Sequence, residues 1–365
     1  MLSAPVPPNF DPNAPGDING NLFGLPFNYD DSLVAILPVP WDVTTSYNPG
    51  THAGPDALRN ASLQIDLYDP DAPDFWQHGI YMLPTPANWL EKNAELRPLA
   101  EQVINALSQG KTIGDDINLM HHLAAINDNS HALNDWVYAQ TAQCLCDGKI
   151  TGLVGGEHST PLGFIRALSE IHNEFGILHI DAHADLRHAY EGFTYSHASI
   201  MYNALQYPQI TRLVSVGLRD VCDEEMERIA DSNGRIRAFF DRDLKNQIYI
   251  ERKRTWADQC KKMISKLPKK VYISFDIDGL DPSLCPNTGT PVPGGLSFHE
   301  AVYLLHSLVK SGKQIIGFDL CEVSPSHDGT NEWDANVGAR ILYKLCNFAI
   351  EARQQYIRKM SKRST

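Results

Sequence analysis

Residues 175–185 read Phe-Gly-Ile-Leu-His-Ile-Asp-Ala-His-Ala-Asp. An apolar run opens the stretch, and Asp181, His183 and Asp185 then stand at every second position. In extended chain, residues i, i+2 and i+4 share one face, so the three ionisable side chains form a row. The run before them has the unbroken apolar character of a strand covered on both sides in a parallel sheet. In such sheets ligands bind outside the carboxyl ends of the strands. A buried strand that ends in three polar groups therefore points to an α/β fold with its site at that edge.

Working outward, similar apolar runs lie near 33–39, 150–155, 212–217, 237–240, 270–276 and 314–319. Helical-length periodic segments separate them, at 161–173, 226–232, 255–266 and 298–310. The alternation predicts an α/β protein with a mostly parallel sheet covered on both faces. No internal repeat, low-complexity tract or Gly/Ser linker divides the chain. The expectation is an N-terminal extension (1–32), one catalytic domain (33–350) and a basic tail (351–365). The tail ends in IRKMSKRST, read as a solvated terminus. Within the domain, DPDAPDFW, PTPANW and INDNSH break the pattern, so 68–129 is expected to be a peripheral insertion or lid.

The 365 residues, 43% of them hydrophobic, are enough for one large domain. The net charge of −13 disfavours nucleic acid and mildly favours cationic substrates. Seven scattered cysteines fit reduced thiols better than a disulfide framework. The Pro- and Asn-rich start lacks the pattern of a signal peptide. No stretch approaches the ~18 apolar residues of a membrane helix. A cytoplasmic protein with no membrane partner is the expectation.

Three further strand ends carry polar groups. One runs into Gly155-Gly156-Glu157-His158-Ser159, a second (VYISFDIDGLDP) ends in Asp276 and Asp278, and a third (IIGFDLCEVSP) ends near Glu322. Asp181, Asp185, Asp276 and Asp278 brought together without counterions would repel one another. Two divalent cations balance their four negative charges, with His158 and His183 as neutral ligands. Mixed oxygen and imidazole donors suit manganese, with nickel as an alternative. A two-metal site of this kind activates water.

These motifs resemble the ureohydrolase family of arginases and agmatinases. GGEHS, DAHAD and SFDIDGLDP match its metal motifs, TGTPVPGGLS follows at 288–297, and the likeness spans about 33–348. The resemblance implies a three-layer α/β/α fold, two manganese ions, and attack of a metal-bridging hydroxide on a guanidinium carbon to release urea. It assigns one ion to His158, Asp181, Asp185 and Asp276, and the other to His183, Asp181, Asp276 and Asp278. It makes His197, in YSHAS, the proton shuttle, and Glu322, in CEVSP, the anchor for the guanidinium. Relatives form trimers or hexamers, so a homo-oligomer is expected. The complete ligand set disfavours a non-catalytic partner subunit, and the two-metal count disfavours a deacetylase of related fold.

The substrate is less tightly specified. The DLR…YEG…SHA loop resembles agmatinases, whose substrate lacks a carboxylate. Arg187 in that loop would repel an ammonium and welcome a carboxylate, unless it pairs with Glu191. The entry loop PWDVTTSYNPGTHAGPDALR has Asn48 and His52 where many agmatinases carry arginine. Trp41 and Tyr47 add aromatic bulk there. If Trp41 closes the pocket, free guanidine becomes the substrate, with nickel as the metal; the other role for Trp41 is core packing. Agmatine leads, with guanidine, arginine and other guanidino acids behind it.

Overall fold

The apolar runs all become strands of one sheet in the computed structural model, which describes residues 6–326 and 328–362. They are β1 (Val34–Val39), β2 (Ile80–Met82), β3 (Ile150–Gly155), β4 (Phe175–Ile180), β5 (Ile210–Leu218), β6 (Ile236–Phe240), β7 (Lys270–Asp276) and β8 (Gln314–Cys321). Every pairing is parallel, in the order β2-β1-β3-β8-β7-β4-β5-β6. The helices are α1 (Gly54–Ala61), α2 (Ala87–Ser108), α3 (Ile117–Cys146), α4 (Leu162–Ile171), α5 (Ile200–Ala204), α6 (Asp223–Asp231), α7 (Asp241–Lys245), α8 (Trp256–Ile264), α9 (Phe298–Lys310) and α10 (Trp333–Ser361).

Alternation along the strands explains the three layers. On β4, Leu178 and Ile180 face a core shared with α8, α9 and α10, whereas Phe175 and Ile177 face one shared with α2, α3 and α4. Successive strand residues point to opposite faces, so strands apolar at every position must be covered twice. Among the described residues no helix is long and apolar enough to cross a membrane.

Three stretches carry structure that their sequence pattern did not announce. Across 68–129 the structure has the edge strand β2, all of α2 and the start of α3. Trp89, Leu96, Val103, Ile126 and Val137 of these helices are buried with Leu37, Val39 and Leu153 of the sheet. Their apolar positions are spread over long helices, so no short run announced them. In the N-terminal extension, Leu22, Phe23, Leu25 and Phe27 are buried in the other core, and its residues 1–5 lie outside the described part. The expected basic tail is helical through Ser361, as the end of α10, and 363–365 lie outside the described residues.

Candidate metal centre and substrate pocket

The four polar strand ends belong to four adjacent strands in mid-sheet, β3, β8, β7 and β4. Chain order explains why they meet. β3 and β4 are consecutive in sequence but leave a gap that β7 and β8 fill later, so the carboxyl ends converge where the winding changes direction. Hydrogen bonds fix the junction. Asp276 accepts from Asp278 N–H at 2.8 Å, and Asp278 accepts from Ala182 N–H at 3.0 Å. Gly279 permits this approach, because a Cβ there would stand 2.7 Å from the Asp181 nitrogen.

His158 Nδ1 lies 3.0 Å from Asp181, 3.1 Å from Asp185 and 3.2 Å from Asp276. His183 Nδ1 lies 3.0 Å from Asp278 and 3.4 Å from Asp181. The four carboxylates are buried. Burial, reinforced by Asp278 and Asp181, pushes the Asp276 carboxyl well up, and burial beside Asp181 raises Asp185 to about 6. Burial works against the charged forms of both imidazoles too, yet the carboxylates hold His158 and His183 well above their usual range. One imidazole N–H cannot serve three carboxylates, whereas a divalent cation can bind all four groups at once. The donor set, carboxylate oxygens with two imidazoles, fits two such ions. Asp185 and Glu322 adopt left-handed backbone, at φ 54° and 63°, a strain of roughly 1–3 kcal/mol each that clusters at functional sites.

Beside the cluster opens a cavity of about 130 Å³ that reaches His183 and Asp185 and is walled by Ser46, Arg187, Tyr190, His197 and Glu225. His197 starts a single 3₁₀ turn capped by Ser196. Its Nε2 is 3.2 Å from Ser46 Oγ, and its N–H donates to Thr44 Oγ1 at 3.3 Å. Burial, then the neighbouring His183, pulls its imidazole down to about 3, so it is neutral. Arg187 stacks over Tyr190 at 4.7 Å, and among the described residues it forms no ion pair with Glu191 or any other acid.

Glu322 is 2% exposed; its Oε1 accepts from His158 N–H at 2.9 Å, while Oε2 has no partner. Gly289 keeps space open beside it, because a Cβ there would lie 3.0 Å from that free oxygen. Asn48 is not in the cavity wall; it donates to the carbonyls of Asn287 and Thr288 and ties the entry loop to this segment. The expectation that Trp41 contacts substrate is corrected. Leu37, Val39, Trp41 and Val43 continue the alternation of β1 into one core. Trp41 is fully buried there, its ring 6.0 Å from that of Trp89 in an edge-on pair. Tyr47 points outward, 81% exposed.

Several contributors went unrecognised in the sequence. His179 Nε2 lies 2.8 Å from Asp181 and holds that carboxyl low against the effect of its burial. It stands one step back on the same alternating face, a signal that was available. Glu157, fully buried beside His158, accepts from Thr44 N–H at 2.9 Å and from the Thr44 and Ser159 hydroxyls. A glutamate inside GGEHS was visible, but its partner in the entry loop was not. Asp319 sits behind His158 and accepts from Ser274 Oγ at 3.2 Å, while Ser274 Oγ lies 2.8 Å from His158 Nε2.

A parallel sheet that gathers imidazoles and carboxylates at the ends of β3, β4 and β7, with Glu322 of β8 beside them, has the build of a metal-dependent α/β enzyme. The Arginase family model matches residues 32–347, and the chain belongs to that family. It is 30% identical to the N(1)-aminopropylagmatine ureohydrolase of Synechocystis sp. over 90% of this chain and 92% of that one. It is 33% identical to the enzyme of the same name from Thermus thermophilus, over 82% and 85%. The crystal structure of agmatine ureohydrolase of Thermoplasma volcanium superposes with a TM-score of 0.67 at 25% identity, covering 91% of this chain and 94% of that one.

Proposed function

We propose that this chain is a ureohydrolase that, with two divalent ions bound, cleaves a linear guanidino compound into urea and an amine. The observation that carries this reading is the convergence of three carboxylates on His158 Nδ1 at 3.0–3.2 Å, with a second imidazole and a fourth carboxylate alongside. One ion would take His158, Asp181, Asp185 and Asp276, and the other His183, Asp181, Asp276 and Asp278. Manganese is the first expectation and nickel the second. When bound, the pair supplies Lewis acidity that activates water for attack at the guanidinium carbon.

The chain's own groups do the rest. The free Oε2 of Glu322 takes guanidinium N–H groups, whose planar fork suits a carboxylate. Neutral His197 accepts the proton that the attacking water gives up and passes it to the departing amine nitrogen. The bond between the guanidinium carbon and the alkyl-bearing nitrogen breaks, that nitrogen leaves as the amine, the water oxygen and the other two nitrogens stay on carbon, and urea results. The seven cysteines are unpaired, which supports a reducing, cytoplasmic setting, and a homo-oligomer belongs to the same reading.

Agmatine-type substrates come first, supported by the names of the relatives and by the DLR…YEG…SHA loop. Closure by Trp41, the feature that favoured free guanidine, is gone because Trp41 is core. A guanidino acid is the second reading, favoured by Arg187 facing the cavity without an acidic partner among the described residues. Steady-state urea release from agmatine, N(1)-aminopropylagmatine, arginine, 4-guanidinobutyrate and guanidine decides among them. A buried charge left unpaired costs ~1–3 kcal/mol, so the ranking should exceed about tenfold in kcat/KM. Agmatine or its aminopropyl derivative leading supports the first reading, and 4-guanidinobutyrate leading supports the second. Urea from none of the five overturns the function.

A further inference from the structure

We infer that Arg97 of α2 is a positioning residue for His197, acting through the entry loop. This rests on the reading of His197 as the proton carrier. Arg97 lies outside the four strand ends and its side chain is only 13% exposed. Its Nη1 donates to three backbone carbonyls of one loop, Asp42 at 3.4 Å, Val43 at 3.0 Å and Thr45 at 2.5 Å. Three carbonyls turned toward one point form a negative cup, and the largely buried guanidinium, whose Nε also pairs with Glu101 at 3.3 Å, is the group that satisfies it.

One turn earlier on the same helix, Asn93 exchanges two hydrogen bonds with Asp42, at 2.7 and 2.8 Å. Asp42 in turn receives Gly50 N–H and His52 Nδ1, each at 2.7 Å, closing residues 42–52 into a ring. The held loop then presents Ser46 Oγ to His197 Nε2 at 3.2 Å and Thr44 Oγ1 to His197 N–H. Thr44 is also bound by Glu157, next to His158. The order of contacts is therefore Arg97, loop carbonyls, Ser46, imidazole. Without the cation the carbonyls lose their donor, the loop loosens, and the imidazole loses the hydroxyl that orients its ring.

The test is a double-mutant cycle on metal-loaded enzyme, with amide hydrogen exchange alongside. Arg97→Gln and Ser46→Ala should each lower kcat/KM about tenfold or more, the scale of a misplaced catalytic group, with metal content unchanged. The double variant should be no slower than about the worse single variant. Arg97→Lys, which keeps a cation near the carbonyls, should recover part of the loss. Exchange at amides 42–52 should quicken at least about tenfold in Arg97→Gln while 175–185 keep their protection. Independent, multiplying effects in the cycle, or unchanged exchange at 42–52, would overturn the inference. If the wild type releases urea from no guanidino compound, the proposed function fails, and the exchange result alone decides whether Arg97 holds the loop.

Discussion

His158, Asp181, Asp276 and Glu322 stand on four adjacent strand ends, whereas Ser46 and His197 stand on loops held from outside the sheet. The first group is fixed by ladder register and by bonds between neighbouring strand ends, such as Asp278 to Ala182 N–H. The second depends on helices α2 and α3. Arg97 and Asn93 grip residues 42–45, while Asn127 bonds Gly192 C=O and Thr194 N–H and His131 meets Tyr195 in the loop before His197. The strand-end group, Glu322 included, is thus built on the sheet itself, whereas Ser46 and His197 sit on loops that other segments of the chain can retune.

The largest effect that separates the two regions comes from His197→Ala. It should slow turnover by about 10²–10⁴-fold, as loss of an acid–base group does, while metal content stays at the wild-type level. Steady-state rates paired with elemental analysis check this, and metal lost together with activity would erase the distinction. Next is Trp41→Ala, which empties part of the core beneath the entry loop. It should destabilise the fold by ~3–5 kcal/mol in denaturant melts without admitting longer substrates. A change in substrate ranking at unchanged stability would return Trp41 to the pocket.

The smallest effect is one of pH. The hydrogen bond that His52 donates to Asp42 raises His52 above its usual value, against the opposing pull of burial. A raised folded value means that its contribution is fully present below the unfolded pKa near 6.5 and is lost as pH rises through the folded value. Loop 42–52 should therefore lose exchange protection as pH rises above about 6.5, after correction for intrinsic rates. His52→Gln should flatten that dependence.

The contrast also explains what could be read in advance. The period of two along 181–185, the pair at 276 and 278 and the alternation of apolar runs with helical segments are all local, so the parallel sheet and the polar groups at its strand ends were legible in the sequence. The same rule reached further than it was applied. It puts His179 in the ligand row, and it carries Trp41 into the core through 37, 39, 41 and 43. Arg97 was illegible for a different reason. Its partners are backbone carbonyls some 52–55 positions away, and carbonyls leave no mark in side-chain pattern. β2 and α2 were hidden for a related reason, since a three-residue edge strand and a helix with scattered apolar positions form no run.

The central claim is that the ends of β3, β4 and β7 make one site for two ions. Metal stoichiometry after equilibration with manganese, followed by removal of free metal, tests it most directly. The account predicts close to two ions per wild-type chain, and a collapse of binding at both positions in Asp276→Ala, because that carboxylate would serve both. One ion per chain, or an Asp276→Ala variant that still holds two, would contradict it.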